Sequence, residues 1–431
     1  MKKKGGKGRI IAAVLLLVAV CVFAVFASGI RIGFIENYMY NFKMNMLAIA
    51  RHFNIELSEP TLDFLQDLST PEPMPADEDE PTTAPVESEI ETVEDIPDIE
   101  FEDIAPDESD TESHPVALES ASTYKYSQYR DYILCVNETS IIAFDKSGKN
   151  LWAVGIHMSE PILSVSGNYY MIAERGGRKI ALFDGKKQVF QTEADGKIKT
   201  AKLSENGDVV VVSDKEFYKG AVIVINKKGN KVFSWNSGTD SVLDADIAAG
   251  SRRVAVSFLN TESGAKSRVE IYNISNGEKE SSTDFNGSIV YDVNFLGEVL
   301  NVFADDKVAG MSQRGKVLWE SSYTERELLH YRAEDSGYKL MLVDNNNVSE
   351  VEILTVRGRQ KSVIVAEKMP DCMDIRSGRI AYNVGRDLVL SGLSGRHKKV
   401  HTCPREIRDI YVMDNDHVVV IYSSGLDFID F

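Results

Sequence analysis

The sequence predicts an all-β, eight-bladed β-propeller over residues 115–431, preceded by one transmembrane helix, a short helical stalk and a disordered acidic linker. Three observations carry that expectation. Turn glycines recur at Gly148, Gly185, Gly229, Gly277, Gly315, Gly358 and Gly395, with gaps of 37, 44, 48, 38, 43 and 37 residues. Each closes a pair of strand-like runs, and the mean gap of about 41 residues matches a four-stranded blade. The first thirty residues hold an uncharged apolar run, Ile10–Ile30, and the acidity of the chain is confined to one tract ahead of the first repeat.

The N-terminal elements follow from transfer energetics. Residues 1–9 form a basic tail carrying Lys2, Lys3, Lys4, Lys7 and Arg9, which places the N-terminus in the cytoplasm and the remainder outside. The 21 residues Ile10–Ile30, at ~1.5 Å per residue, cross the ~30 Å apolar core of a bilayer. A cleaved signal is the alternative, because Val25–Ser28 offers small residues to a peptidase. The run is longer than the roughly 7–15 residues of an ordinary signal core, which favours a retained anchor.

Residues 31–69 alternate apolar and polar side chains and include Phe34, Tyr38, Tyr40 and Phe42. They read as a juxtamembrane helical segment, with the aromatics suited to the interface. Residues 70–114 read as a spacer. Eighteen Asp and Glu and no Lys or Arg fall between Pro71 and Glu112, and eight of the twelve prolines lie between positions 71 and 115. Such a segment buries too little apolar surface to offset the entropy of ordering it. Its charges repel and its prolines stiffen it; an acidic interaction tail is the sharper alternative.

Subtracting those eighteen acids from the 66 in the chain leaves 48, against 48 Lys and Arg. The net charge of −18 therefore belongs to the spacer. Beyond the first nine residues no basic stripe would release counterions from a phosphate backbone, so no nucleic acid partner is expected.

From Tyr124 onward the chain pairs strand with strand: YILCV with SIIAF, YYMIA with KIALF, VVVVS with AVIVI, RVAVSF with RVEIY, VLNVF with KVAGM, KLMLV with EVEIL, and RIAYNV with DLVLS. An eighth pair, HVVVIY with LDFIDF, ends at Phe431 without a following strand. Closing a ring protects its edges, so an N-terminal segment, Pro115–Ser122, is expected to supply the missing outer strand. Seven blades is the alternative.

The cysteines, Cys21, Cys135, Cys372 and Cys403, form no C-x-x-C pair, so zinc and redox spacing is absent. Two intervening strands at ~4.8 Å each would separate Cys372 from Cys403, against a disulfide. Asp344–Asn347 lacks the glycine and the final Glu of a calcium loop. His397 and His401 have no evident third ligand, and no G-x-S-x-G motif occurs.

Two segments share a phrase: AFDKSGKNLW, residues 143–152, and AGMSQRGKVLW, residues 309–319. They resemble the tryptophan-docking motif of quinoprotein dehydrogenases, A-x-D-x-x-T-G-K-x-x-W. Ala309, Gly315, Lys316 and Trp319 match its spacing, with Met311 and Arg314 replacing the Asp and Thr. Ala143, Asp145, Gly148, Lys149 and Trp152 match with one residue missing, and Asn226, Gly229, Lys231 and Phe233 keep a third copy. With its anchor and spacer, the chain resembles an uncharacterised Gram-positive family of membrane-anchored, quinoprotein-like propellers.

That resemblance implies structural roles. The glycines turn the chain between third and fourth strands, Asp145 and Asn226 cap the turns, and Trp152, Phe233 and Trp319 dock on the next blade. No catalytic residue, cofactor or metal is assigned, because the adjacent cysteines of the quinone enzymes are missing. The expectation is a non-enzymatic binding or scaffold module in the cell envelope, with a protein or envelope-polymer partner at the propeller face. The alternatives are a quinone-dependent or other propeller enzyme, which requires an acid-rich central funnel, and a sensor signalling through a membrane partner.

Overall fold

A computed structural model describes residues 111–431, apart from 262–265, 334–336, 346–347 and 367. The basic tail, the anchor, the stalk and almost all of the spacer lie outside the described residues. Among those described, the strands form eight four-stranded sheets. Seven are consecutive in the chain: blade 1 spans 125–155, blade 2 161–193, blade 3 198–237, blade 4 241–286, blade 5 290–322, blade 6 327–366 and blade 7 373–402. Blade 8 takes three strands from 409–430 and its outer strand from Glu112–Ala117. The count is eight, and the seven-blade alternative falls.

The closing strand lies three residues ahead of its expected start. Glu112 pairs with Asp430 and Ala117 with Gly425, so the strand takes in three residues assigned to the spacer. After it, Ala121–Thr123 form one 3-10 turn, where the expected strand ran on to Ser122.

Among the described residues the core is not one cluster but eight, each between two neighbouring blades. One holds Val210, Val212, Val254 and Val256 between blades 3 and 4. Another holds Met171, Ala173, Val209 and Val211 between blades 2 and 3. The last interface joins Ile133 and Phe144 of blade 1 to Val419 and Phe428 of blade 8, which closes the ring.

This arrangement explains the uninterrupted apolar strands. Side chains alternate across a strand, and in Val209–Ser213 the odd valines face blade 2 while the even ones face blade 4. Both faces are covered, so the strand has no polar face. Outer strands differ: Asn150–Gly155 and Val317–Ser322 are exposed at every second residue or more. The first strands of successive blades pack on one another and line the centre. Turns between strands one and two, and three and four, share one face of the ring; hairpins between strands two and three occupy the other.

Candidate functional site

All seven repeat glycines sit between the third and fourth strands of their blades, with φ from 57° at Gly185 to 83° at Gly229. That backbone region is strained for residues with a Cβ. Beside them the caps form as side-chain bonds. Asp145 Oδ1 accepts the Ser147 and Lys149 amides at 2.9 and 3.0 Å, and Asn226 Oδ1 accepts those of Lys228 and Asn230 at 3.0 and 3.1 Å. Burial works against the Asp145 charge, yet these bonds and that from the Ser147 hydroxyl hold its carboxyl below the usual range.

In blade 5 the cap is Ser312, whose Oγ accepts the Lys316 amide at 3.1 Å. Met311, which occupies the motif's Asp position by spacing, is buried in the core instead. The register gives the reason: Trp152 stands opposite Ala143, whereas Trp319 stands opposite Gly310, not Ala309. A Cβ on Gly310 would lie 2.0 Å from Trp319 Nε1, so the indole lies flat across its own blade.

The outer-strand aromatics contact the following blade. Trp319 Nε1 donates to Val356 O at 3.2 Å, and a Cβ on Gly358 would fall 2.2 Å from Trp319 Cδ2. Phe233 meets Tyr272 of blade 4 at 5.8 Å between ring centroids. Trp152 packs into the cluster between blades 1 and 2. The same seat recurs without tryptophan: Phe190 abuts Gly229, Ile364 abuts Gly395, and Phe428 with Val116 abuts Gly148. A Cβ on Gly277 would meet nothing within 4 Å, and one on Gly185 would meet only the Arg130 guanidinium, at 3.9 Å.

The centre of the ring holds charges that the repeat phrase does not mark. Lys202, on the first strand of blade 3 (Ile198–Leu203), pairs with Asp244 of blade 4 at 2.5 Å and with Asp292 of blade 5. Its amine also donates to Val293 O at 2.7 Å. Arg332 of blade 6 pairs with Asp409 of blade 8 at 3.0 Å. Both Lys202–Asp292 and Arg332–Asp409 skip a blade, which only side chains on first strands can do.

Asp244 and two further first-strand carboxylates, Asp246 and Asp374, also join first strands together. Asp244 Oδ2 accepts the Val293 amide at 2.9 Å, Asp246 Oδ2 the Phe295 amide at 2.6 Å, and Asp374 Oδ2 the Val412 amide at 2.8 Å. Burial pushes Asp246 and Asp374 up to about 6, against the pull of Lys202 and Arg332 respectively. Burial disfavours the charge on Lys202 too, but Asp244, Asp292 and Asp246 outweigh it and keep the amine protonated. The sequence did carry a signal. Asp246, Asp292, Asp374 and Asp409 each precede Ile or Val in a first strand, a recurrence masked by the attention the glycines draw.

Cys135, Cys372 and Cys403 are free and buried, and the last two share the cluster between blades 7 and 8. Burial pushes the Cys403 thiol up to about 11. Among the described residues no group of His, Cys, Asp and Glu is placed to hold a metal ion.

A family model for a family of unknown function, DUF5711, matches residues 108–431. The chain belongs to that family. Its match begins just ahead of the closing strand and covers the propeller as a unit. No curated protein matches the sequence. Among solved structures, the computationally designed Ika8 protein is similar with a TM-score of 0.57 at 13% identity, covering 74% of this chain and 100% of that one. Sqt1 of Saccharomyces cerevisiae gives 0.54 at 9% identity, over 74% and 97%. BamB from Moraxella catarrhalis gives 0.51 at 11% identity, over 74% and 98%. At such identities the likeness is one of fold alone.

Proposed function

We propose that this DUF5711 protein is a single-pass envelope protein that holds a non-enzymatic propeller outside the membrane, where it binds a protein or an envelope polymer. The uncharged run at 10–30 and the basic tail ahead of it support the placement. The observation that carries the non-enzymatic part is the use made of the central carboxylates. Asp244, Asp246 and Asp374 accept backbone amides of the next blade, and Asp292 and Asp409 are held by Lys202 and Arg332. They join the ring rather than offer a free acid and base.

Two measurements test this reading. A reporter fused after Phe431 should be active outside the membrane and silent in the cytoplasm; the reverse pattern would end the proposal. Purification of the full chain from detergent should retain a stoichiometric partner, identified by mass spectrometry.

The enzyme reading keeps one observation in its favour, since the centre is as rich in acids as it requires. The residues do not fit a quinone, however. No two cysteines adjoin in the sequence, and each described one is buried as a free thiol. Substrate oxidation on adding pyrroloquinoline quinone and calcium would reverse the ranking of the two readings.

A further inference from the structure

A cavity of about 740 Å³ opens on the face that carries the turns between third and fourth strands, centred on blade 5. Its size falls in the range of small-ligand sites. Three guanidinium groups from three consecutive blades line it: Arg253 from the second strand of blade 4, Arg314 from the turn of blade 5 and Arg357 from the turn of blade 6. Glu298 is the one acid among the lining residues. Arg253 already holds Glu280 at 2.5 Å. Arg314 and Arg357 are exposed, and neither forms an ion pair among the described residues.

A second observation is independent of the charges. Gln313 also lines the cavity, and its Nε2 is buried with no acceptor. A buried donor without a partner is unfavourable, and a turn of the half-buried Gln313 side chain into the cavity would give it the acceptor it lacks. The wall beside it is apolar: Leu318 is 50% exposed there, and Trp319 is fixed by its bond to Val356. Planar guanidinium forks suit phosphate and carboxylate oxygens, which accept two parallel bonds from each.

We infer that this cavity binds an oligoanion carrying phosphate or carboxylate groups, held by Arg314 and Arg357, with Gln313 donating to one of its oxygens. The site deepens the binding-module reading on which it rests, by naming a ligand class. It also places the contact on the turn face and not at the centre of the ring. Arg253, already neutralised by Glu280, borders the ligand without supplying a free charge.

The test is calorimetric titration of the full-length chain with inorganic tripolyphosphate and, separately, with a hexamer of glutamate. Saturable binding of either supports the site, and the probe that binds identifies phosphate or carboxylate as the source. The Arg314→Ala/Arg357→Ala variant should weaken binding at least tenfold with its melting temperature unchanged, and Gln313→Leu, which removes the unpaired donor, should weaken it several-fold with no loss of melting temperature. Lys186→Ala removes an exposed charge from the blade 2 turn on the same face and should change affinity less than twofold. Failure of both probes to bind would overturn the inference, as would equal losses in the Lys186 and arginine variants. Those results would leave the binding-module reading intact, because it depends on the reporter and the retained partner.

Discussion

Ser113 donates its hydroxyl to the carboxylate of Asp427, at 2.8 and 2.9 Å from its two oxygens, across 314 residues of sequence. This pair fastens the first described strand to the last. Asp427 is 2% exposed, so removing its donor leaves a buried acceptor short of a bond. Ser113→Ala should lower stability by about 1–3 kcal/mol, read from urea midpoints. An unchanged midpoint would show that backbone pairing alone closes the ring.

Gly358 separates two effects that usually travel together. Its φ of +76° disfavours a Cβ, and that Cβ would also meet Trp319. Gly277 has a similar φ of +74° and open space around it. Both alanine variants should carry backbone strain, and Gly358→Ala should cost on the order of 1–3 kcal/mol more from overpacking. Equal losses in thermal unfolding would mean the indole shifts without cost.

Truncating a docked aromatic should cost stability rather than ligand. For Trp152→Ala the loss should fall near the lower end of about 3–5 kcal/mol, because this indole is only partly buried. Unchanged melting together with abolished partner binding would overturn the structural reading of the phrase.

Lys339 is fully buried, donates to Asn301 Oδ1 at 2.7 Å and lies 4.0 Å from the Trp319 ring centroid. Burial pulls its amine down from 10.5 to about 7. Between those two values the unfolded chain binds more protons than the native one, so stability rises with pH across that window. The gain by pH 10 should be on the order of 4 kcal/mol. Lys339→Met should flatten urea midpoints measured at pH 7, 8 and 9; a flat wild-type profile would mean that the amine stays charged.

The central acids act in the opposite direction at lower pH. Asp246 and Asp374 rise from 3.8 to about 6, so between those values the native state binds more protons than the unfolded one. Their contribution to stability is full below about pH 4 and lost as pH rises through about 6. Other carboxylates, among them Asp414 and Glu280, are held low and slope the other way. The comparison is therefore between wild type and Asp246→Asn, which should remove part of the decline from pH 4 to 6. Identical profiles would contradict a raised Asp246.

The blade count was legible because each blade repeats its own local chemistry. A turn needing φ > 0 selects glycine whatever surrounds it, and a strand covered on both faces reads as unbroken valine and isoleucine. The docking motif was harder to read. Spacing put Met311 at the cap, and only the register that sets Trp319 against Gly310 shows that Ser312 serves there.

By itself, then, the sequence determined the repeat and its period, since these depend on neighbours a few tens of residues apart, and it pointed to an N-terminal strand for the last blade because a closed ring protects its edges. Tertiary structure alone decided which distant residues meet. Lys202 reaches Asp292 over 90 residues and Arg332 reaches Asp409 over 77, while Arg314 and Arg357 come to share one cavity. A single strand carries no trace of such meetings, because the angle between blades fixes them and every blade contributes to that angle.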